Sequence, residues 1–333
     1  MILAPCPFPL FLMPAVFDAL PGLEVPVGGI AAGFGKLWTD SPAKDSRAVQ
    51  LNLVLHLGAN STPADAQLQF QHTLRLAQRY PCRVVVLCPD FDAQAPAEMR
   101  AKIYGECFLG KSKNDTRCVE FVLLHYTMAV RAHLENQVSV CLSTDMPLYY
   151  WGHKFSSAKR LADYDYLLTR SKRILFDSAV VPADAFTYPW PNISAVRDLA
   201  YTRTLPLRQN LGQFLSRYAP ALITDGLKQV TIRHRAALGA EASCLLGWVK
   251  KGLARSGPPT SSAIGSSVTP VEGSLGFAME FAYADAKKTF RWTADLQKGQ
   301  AEFTGDLGTG RTTQTLGAHL LAPEMALSEA MFF

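Results

Sequence analysis

The stretch CRVVVLCPD, residues 82–90, decides the architecture of this chain. A half-exposed strand alternates apolar with polar side chains. Here Val84, Val85, Val86 and Leu87 leave no polar face, so both sides must be covered, as in a sheet flanked by helices. Working outward, AVQLNLVLHL (48–57) reads as a second buried strand. Between the two, Thr62 caps a helix with Pro63 at its first position, and Ala66, Phe70, Leu74 and Ala77 form its buried stripe. Downstream, KIYGECFL and VEFVLLHY make a strand pair. A helix follows with Val130, Leu134, Val138 and Cys141 at i, i+4, i+8 and i+11. PLYYW (147–151) is then a strand, AKRLADYDYLLT a helix and KRILFDSAV a strand. The alternation predicts an α/β fold whose mixed sheet has parallel crossovers between at least some strands and helices packed against it.

Past residue 182 the pattern becomes more helical, with ISAVRDLAYTR, PLRQNLGQFL and AEASCLLGWVKKGLA, the last after a strand QVTIRHRA. A Gly/Pro/Ser-rich loop is expected over 255–270. The segment LGFAMEFAYADAKKTFRWTADLQKGQAEFTGDL alternates as a small antiparallel β-meander with turns at Asp285 and at Lys298 to Gly299. A short helix near Pro323 closes the chain. The expected organisation is a loose leader at 1–25, an α/β domain at 26–182, and a C-terminal helical segment plus meander at 183–333.

The chain has 333 residues, 48% hydrophobic and 18% charged, a globular balance with length for two domains. No run of about 18 uncharged apolar residues occurs, which argues against a membrane-spanning helix. The opening MILAPCPFPLFLMPAVF lacks Lys and Arg and holds four prolines, so it makes a poor signal peptide. An overlong start, with the protein beginning near Met13, is the other reading. Seven cysteines without a C-x-x-C pair indicate neither a zinc site nor a disulfide framework, and a reducing cytoplasm fits. Residues 151–255 carry 16 basic against 7 acidic side chains within a net charge of +5. The basic residues are scattered without an aromatic-spaced array, so nucleic acid is a weak reading, and a partner with an acidic face or a phosphorylated small molecule explains them as well.

Motifs for catalysis are missing. VGGIAAGFGKLW fails as a phosphate loop because Ile30 stands where glycine is needed and Leu37 where Ser or Thr is needed. Ile30, Phe34, Leu37 and Trp38 instead form one helical stripe. There is no G-x-S-x-G elbow, no His pair flanking a Glu, and no dinucleotide turn. His56 and His125 fit core or edge positions. Three acids lie at strand ends: Asp90, Asp145 and Asp177, the last followed by Ser178. Asp90 and Asp177 could share a crevice at the carboxyl ends of strands, whereas capping a helix is the commoner role of such residues. In PLYYW, Leu148 and Tyr150 share one face, Tyr149 and Trp151 the other, which favours core over interface.

The ordered stretches DMPLYYW, RILFDSAV, VRDLAYTRTLPLRQNL and LLGWVKKGL, preceded by CVEFVLLHYTMAVRAHLENQVSVCL, resemble the glucose-6-phosphate dehydrogenase assembly protein family, OpcA. The resemblance runs from about Ile30 to Phe333. It rests on Asp145, Met146, Pro147 and Trp151, on Asp177 with Ser178, and on Asp198, Leu199, Ala200, Tyr201 and Arg203. Tyr201 and Leu207 stand where the family has Trp, and Lys172 where an Asp precedes Arg173.

The resemblance implies a non-catalytic cytoplasmic protein without cofactor or metal. It would bind glucose-6-phosphate dehydrogenase, promote the active oligomer and raise its activity, feeding NADPH production in the oxidative pentose phosphate pathway. Redox control through cysteines near the carboxyl terminus, a property of some members, is not implied because no cysteine follows Cys244. Arg197, Arg203 and Arg208 are candidates for the electrostatic part of the interface, and Trp151 and Trp248 for buried anchors. A sugar-phosphate-binding enzyme or sensor of α/β class is the alternative.

Overall fold

The structure is a computed structural model that describes residues 15–39, 49–109, 116–256, 264–274 and 276–333. These form two compact units. One comprises the described residues up to Ile174 with Val181–Val196, the other Leu175–Val180 with Arg197–Phe333.

The first unit opens with a one-turn helix α1 (Val16–Ala19), a strand β1 (Leu23–Val25) and helix α2 (Ile30–Thr39). Strand β2 (Leu51–Leu57), helix α3 (Pro63–Ala77) and strand β3 (Cys82–Asp90) follow, then the pair β4 (Met99–Leu109) and β5 (Thr116–Thr127). Helix α4 (Leu134–Cys141), strand β6 (Leu148–His153) and helix α5 (Asp165–Arg170) lead to β7 (Arg173–Phe176) and β8 (Val196–Asp198), where the chain passes between the units. The strand order is β1-β4-β5-β3-β2-β6-β7-β8. β5, β3, β2 and β6 run parallel, while β4 is antiparallel to β5 and β1 to β4. This is the mixed sheet that the strand-helix alternation predicts.

The two deciding strands behave as read: Val84, Val85, Val86 and Leu87 are fully buried, and every residue of β2 is buried. The Thr62 cap closes a box in which its hydroxyl accepts from the Asp65 N–H while Asp65 accepts from the Thr62 N–H. That satisfies two orphan donors of α3 at once.

Several expectations need correction. The leader is folded from residue 15 on: Phe17 is buried, and Lys102 Nζ donates to the Phe17 and Leu20 carbonyls at 2.9 and 3.0 Å. Leu37 leaves the buried stripe of α2 and is partly exposed. Val130 and the segment Ala158–Tyr164 lie in 3-10 rather than α-helical turns. Cys107 and Cys118 form a disulfide, because the β4/β5 register sets them directly opposite with Cα atoms 4.0 Å apart. Cys82, Cys88 and Cys141 are buried free thiols.

The second unit contains α6 (Leu199–Arg203), α7 (Leu205–Leu215), α8 (Pro220–Thr224), strand β9 (Leu227–His234) and the long helix α9 (Gly239–Ser256). Strands β10 (Gly265–Pro270), β11 (Gly276–Tyr283), β12 (Thr289–Asp295), β13 (Gln300–Asp306) and β14 (Thr312–Gly317) and helix α10 (Pro323–Phe332) complete it. Their sheet runs β10-β9-β11-β12-β13-β14, and β9 to β14 without β10 is antiparallel throughout. The meander has its strands and turns where alternation put them, and Gly299 takes the left-handed φ of 67° that its turn requires. The stretch read as a loop over 255–270 is corrected at its end: residues 265–270 are β10, parallel to β9, while 257–263 lie outside the described residues. Phe214, Phe290, Trp292 and Phe303 form the centre of the core.

His56 on β2 is 4% exposed, with Nδ1 against the Tyr150 hydroxyl and its ring 4.4 Å from that of Tyr164. Burial lowers its pKa to about 3. The unfolded chain binds this proton near the ordinary value of about 6.5. Between those values unfolding takes up a proton, so the stability is whole above the unfolded pKa and falls as the pH drops towards the folded one. We predict a loss of up to about 1.4 kcal/mol per pH unit from this group in that window. Urea titrations at pH 7, 6 and 5 should show a shallower decline for His56→Phe than for the parent; equal slopes would refute the assignment.

Candidate functional site

In parallel α/β sheets ligands gather outside the carboxyl ends of the strands, where the strand order reverses. Here the reversal falls between β2 and β6, because the chain builds β3 and β5 on one side of β2 and then β6 on the other. That position is filled by the protein itself. The Gly58 N–H donates to the His153 carbonyl at 2.7 Å and the Asn60 N–H to the Lys154 carbonyl at 3.2 Å. A Cβ at Gly58 would stand 2.3 Å from the Phe155 Cα, so only glycine admits this closure. Lys154, in the left-handed region with φ 49°, ties the lid down by placing Nζ 2.8 Å from both Asp65 oxygens.

The acids read as possible crevice partners are engaged separately. Two strands, β2 and β6, intervene between β3, which Asp90 closes, and β7, which Asp177 follows. Asp90 accepts from the Asp92 N–H at 2.9 Å in a local turn, and Asp177 is taken up by Arg203. The shared crevice is therefore corrected to two separate settings.

Asp145, Pro147 and Trp151 belong to the first unit. Asp145 sits exposed in a turn with φ 63°, the chain reversal before β6. The Pro147 carbonyl accepts from the Asn52 N–H at 2.9 Å. Asn52, a buried amide on β2, holds the whole turn: Nδ2 donates to the Ser143 carbonyl and Oδ1 accepts from the Ser143 N–H, both at 2.9 Å. Trp151 is 3% exposed on β6, and Tyr149 and Tyr150 are as deeply buried, so the aromatic run is core.

Within the second unit the remaining motif residues converge. Arg203, at the end of α6, forks between two carboxylates: Nη1 and Nη2 reach the two Asp177 oxygens at 2.7 and 3.1 Å, and Nε and Nη2 reach Glu241 Oε1 at 3.1 and 2.6 Å. Burial works against its charge, but the two carboxylates overcome it and hold its pKa well above the ordinary guanidinium value. Asp198 caps α6 through the Ala200 N–H at 2.9 Å, and the same oxygen accepts from the Ser178 N–H at 3.0 Å. Its other oxygen accepts from the Cys244 thiol at 3.4 Å. Burial, with Asp198 beside it, pushes that thiol up to about 12, so Cys244 stays protonated at neutral pH and is a poor nucleophile.

Around this lock lie the outward-facing residues. Tyr201 is 39% exposed, and the Arg208 guanidinium lies 3.8 Å from its ring centroid while Nη1 donates to its hydroxyl at 2.8 Å. Arg197 is half-buried on β8. Trp248, also half-buried, lies against Gly212 of α7. Arg203 thus differs from the reading that set it at an interface: its fork is spent on internal carboxylates. Glu241 and Cys244 escaped the sequence reading. The signal was present, since Glu241 falls on the stripe of α9 that carries Leu245 and Val249, where a charge is out of place without a partner.

What this arrangement can do is hold. Each carboxylate of the cluster is engaged by a guanidinium, a thiol or backbone N–H groups, which suits fixing three segments of chain in register more than moving a proton. Among the described residues no group of three or more His, Cys, Asp or Glu is placed to bind a metal ion, and no helix is long and apolar enough to cross a membrane.

Residues 73–188 match the family model described as the glucose-6-phosphate dehydrogenase subunit N-terminal domain, OpcA_G6PD_assem. The matched stretch includes Asp145, Pro147, Trp151, Asp177 and Ser178. No curated protein matches the chain.

Removing the guanidinium would strand a carboxylate that is 5% exposed at Glu241. We predict that Arg203→Met lowers the unfolding free energy by about 3–5 kcal/mol, the cost of breaking a buried ion pair from one side. Arg208→Met, which loses neutral hydrogen bonds to Tyr201 and Thr204 and strands no carboxylate, should cost less, about 1 kcal/mol. Urea denaturation of both variants checks this; equal midpoints for the two would remove Arg203 as the lock.

Proposed function

We propose that this chain, which carries the domain of the OpcA glucose-6-phosphate dehydrogenase assembly family over residues 73–188, is a non-catalytic assembly subunit of glucose-6-phosphate dehydrogenase that activates the enzyme by binding its active oligomer. The observation that carries the reading is the family match. Two features of the fold support it. The sheet position where a substrate would sit is closed by the chain's own Lys154–Phe155 segment, and the motif acids are engaged in a structural lock.

Activation by binding alone has a thermodynamic requirement. A protein that bound active and inactive forms of the enzyme equally would shift nothing, and a tenfold shift in their ratio needs about 1.4 kcal/mol of preference for the active form. That preference must reside in the interface. Tyr201 stacked on Arg208 is the candidate contact, since tyrosine and arginine dominate interface energetics and this pair is braced before a partner arrives, so little side-chain freedom is left to lose.

Adding the purified chain to its host's dehydrogenase should raise the rate and enlarge the oligomer seen by light scattering. No change in either property would overturn the function. For the interface, Tyr201→Ser should weaken the complex at least tenfold in a calorimetric titration while the melting temperature holds; undiminished affinity would move the contact away from α6.

A further inference from the structure

An open sheet leaves two edge strands whose outer N–H and C=O groups can pair with another chain, and proteins usually guard them with charge, proline, a bulge or shortness. Three of the four edge strands among the described residues are guarded in this way. β1 and β8 are three residues long and carry Glu24 and Arg197 with Asp198, respectively, and β10 ends on Pro270. β14 is different. Its sequence TTQTLG holds six residues with no charge and no proline, and it keeps one register with β13 throughout.

The phase of that ladder identifies the free groups. The Ala318 N–H donates to the Gly299 carbonyl at 2.8 Å, in the register that sets Gly317 opposite Gln300. Antiparallel ladders alternate bonded and non-bonded pairs, so Thr312, Gln314 and Leu316 bond to β13, while Thr313, Thr315 and Gly317 aim their backbone groups outward. An independent contact agrees: the Gly317 carbonyl accepts from the Asn210 side chain of α7. Thr313 and Thr315 are exposed, and no described residue pairs with their N–H and C=O groups.

We infer that β14 pairs with β14 of a second copy of this chain, antiparallel about a two-fold axis at Gln314. Thr313 of each copy then exchanges N–H···O bonds with Thr315 of the other, four bonds that use the four free groups on each side. The Gly317 carbonyl, taken by Asn210, is not needed. Outside the axis, Thr313 packs against Thr315, a favourable cross-strand pair. Arg311 falls opposite Gly317, so no like charges meet. One strand supplies both halves of the match, as a two-fold contact requires, and the pairing consumes the unguarded edge, so assembly closes at two. The contact needs no dehydrogenase, and its test uses the full chain alone.

A strand pair of this size belongs to the weak, reversible class of interfaces. Sedimentation equilibrium up to about 0.5 mM, where a Kd of about 100 µM leaves most chains paired, should fit monomer and dimer with no larger species. Thr315→Pro deletes an outward N–H and leaves the β13 ladder whole, so it should weaken dimerisation roughly tenfold or more with little change in melting temperature. Gln314→Pro deletes an inward N–H and should lower the melting temperature. Gln314→Cys sets two thiols across the axis on Cα atoms about 4.5 Å apart, so mild oxidation should link two chains, a link that the parent lacks and that adding Thr315→Pro removes. A monomer throughout the concentration range, a dimer that Thr315→Pro leaves as tight, or no link through Gln314→Cys would each overturn the pairing.

Discussion

One guanidinium holds the second unit's motif residues in place. Arg203 joins the end of α6 to Asp177, 26 residues earlier, and to Glu241, 38 residues later. A carboxylate as buried as Glu241 is tolerable only when paired, and an arginine is suited to the task because its planar fork serves two acceptors at once. The neighbouring interactions follow from that anchor. Asp198 can cap α6 and accept from Ser178 and Cys244 because Arg203 fixes where α6 ends, and the Arg203 carbonyl in turn accepts from the Leu321 N–H at 3.0 Å, bringing in the segment before α10. Exposed Tyr201 takes its setting from the same short helix.

The first unit is organised by a different constraint, the need to cover both faces of a parallel sheet. β2 and β3 are buried along almost their whole length, so both faces of the sheet must be covered by other segments of the chain. The aromatic run of β6 meets the same demand from the next strand, with Tyr149 and Trp151 on one face and Tyr150 on the other, all buried. Closure of the switch point by the segment after β6 completes a sheet whose usual ligand position is occupied from within.

Legibility in the sequence followed the range of the interaction. The Thr62 cap, the stripe of α3, the apolar runs of β2 and β3 and the three long strands of the meander all depend on residues a few positions apart, and all were visible. β1 and β10 were not, because a short or Ser/Gly-rich segment becomes a strand only when a neighbouring backbone offers it hydrogen bonds. β14, built from Thr and Gln, escaped for the same reason. The Cys107–Cys118 bond depends on the β4/β5 register, which no spacing rule encodes.

The candidate site divides along the same line. The family resemblance singled out Asp177 with Ser178 and, in a separate stretch, Asp198 with Arg203, and local periodicity was enough to determine the α/β class with its trailing meander. Only the tertiary structure decided that Arg203 faces inward to Asp177 and Glu241 while Tyr201 and Arg208 remain open, and that Trp151 is core. The physical reason is that charge and aromaticity are properties of a residue, whereas desolvation and pairing are properties of its surroundings. Those surroundings are assembled from segments tens of residues apart.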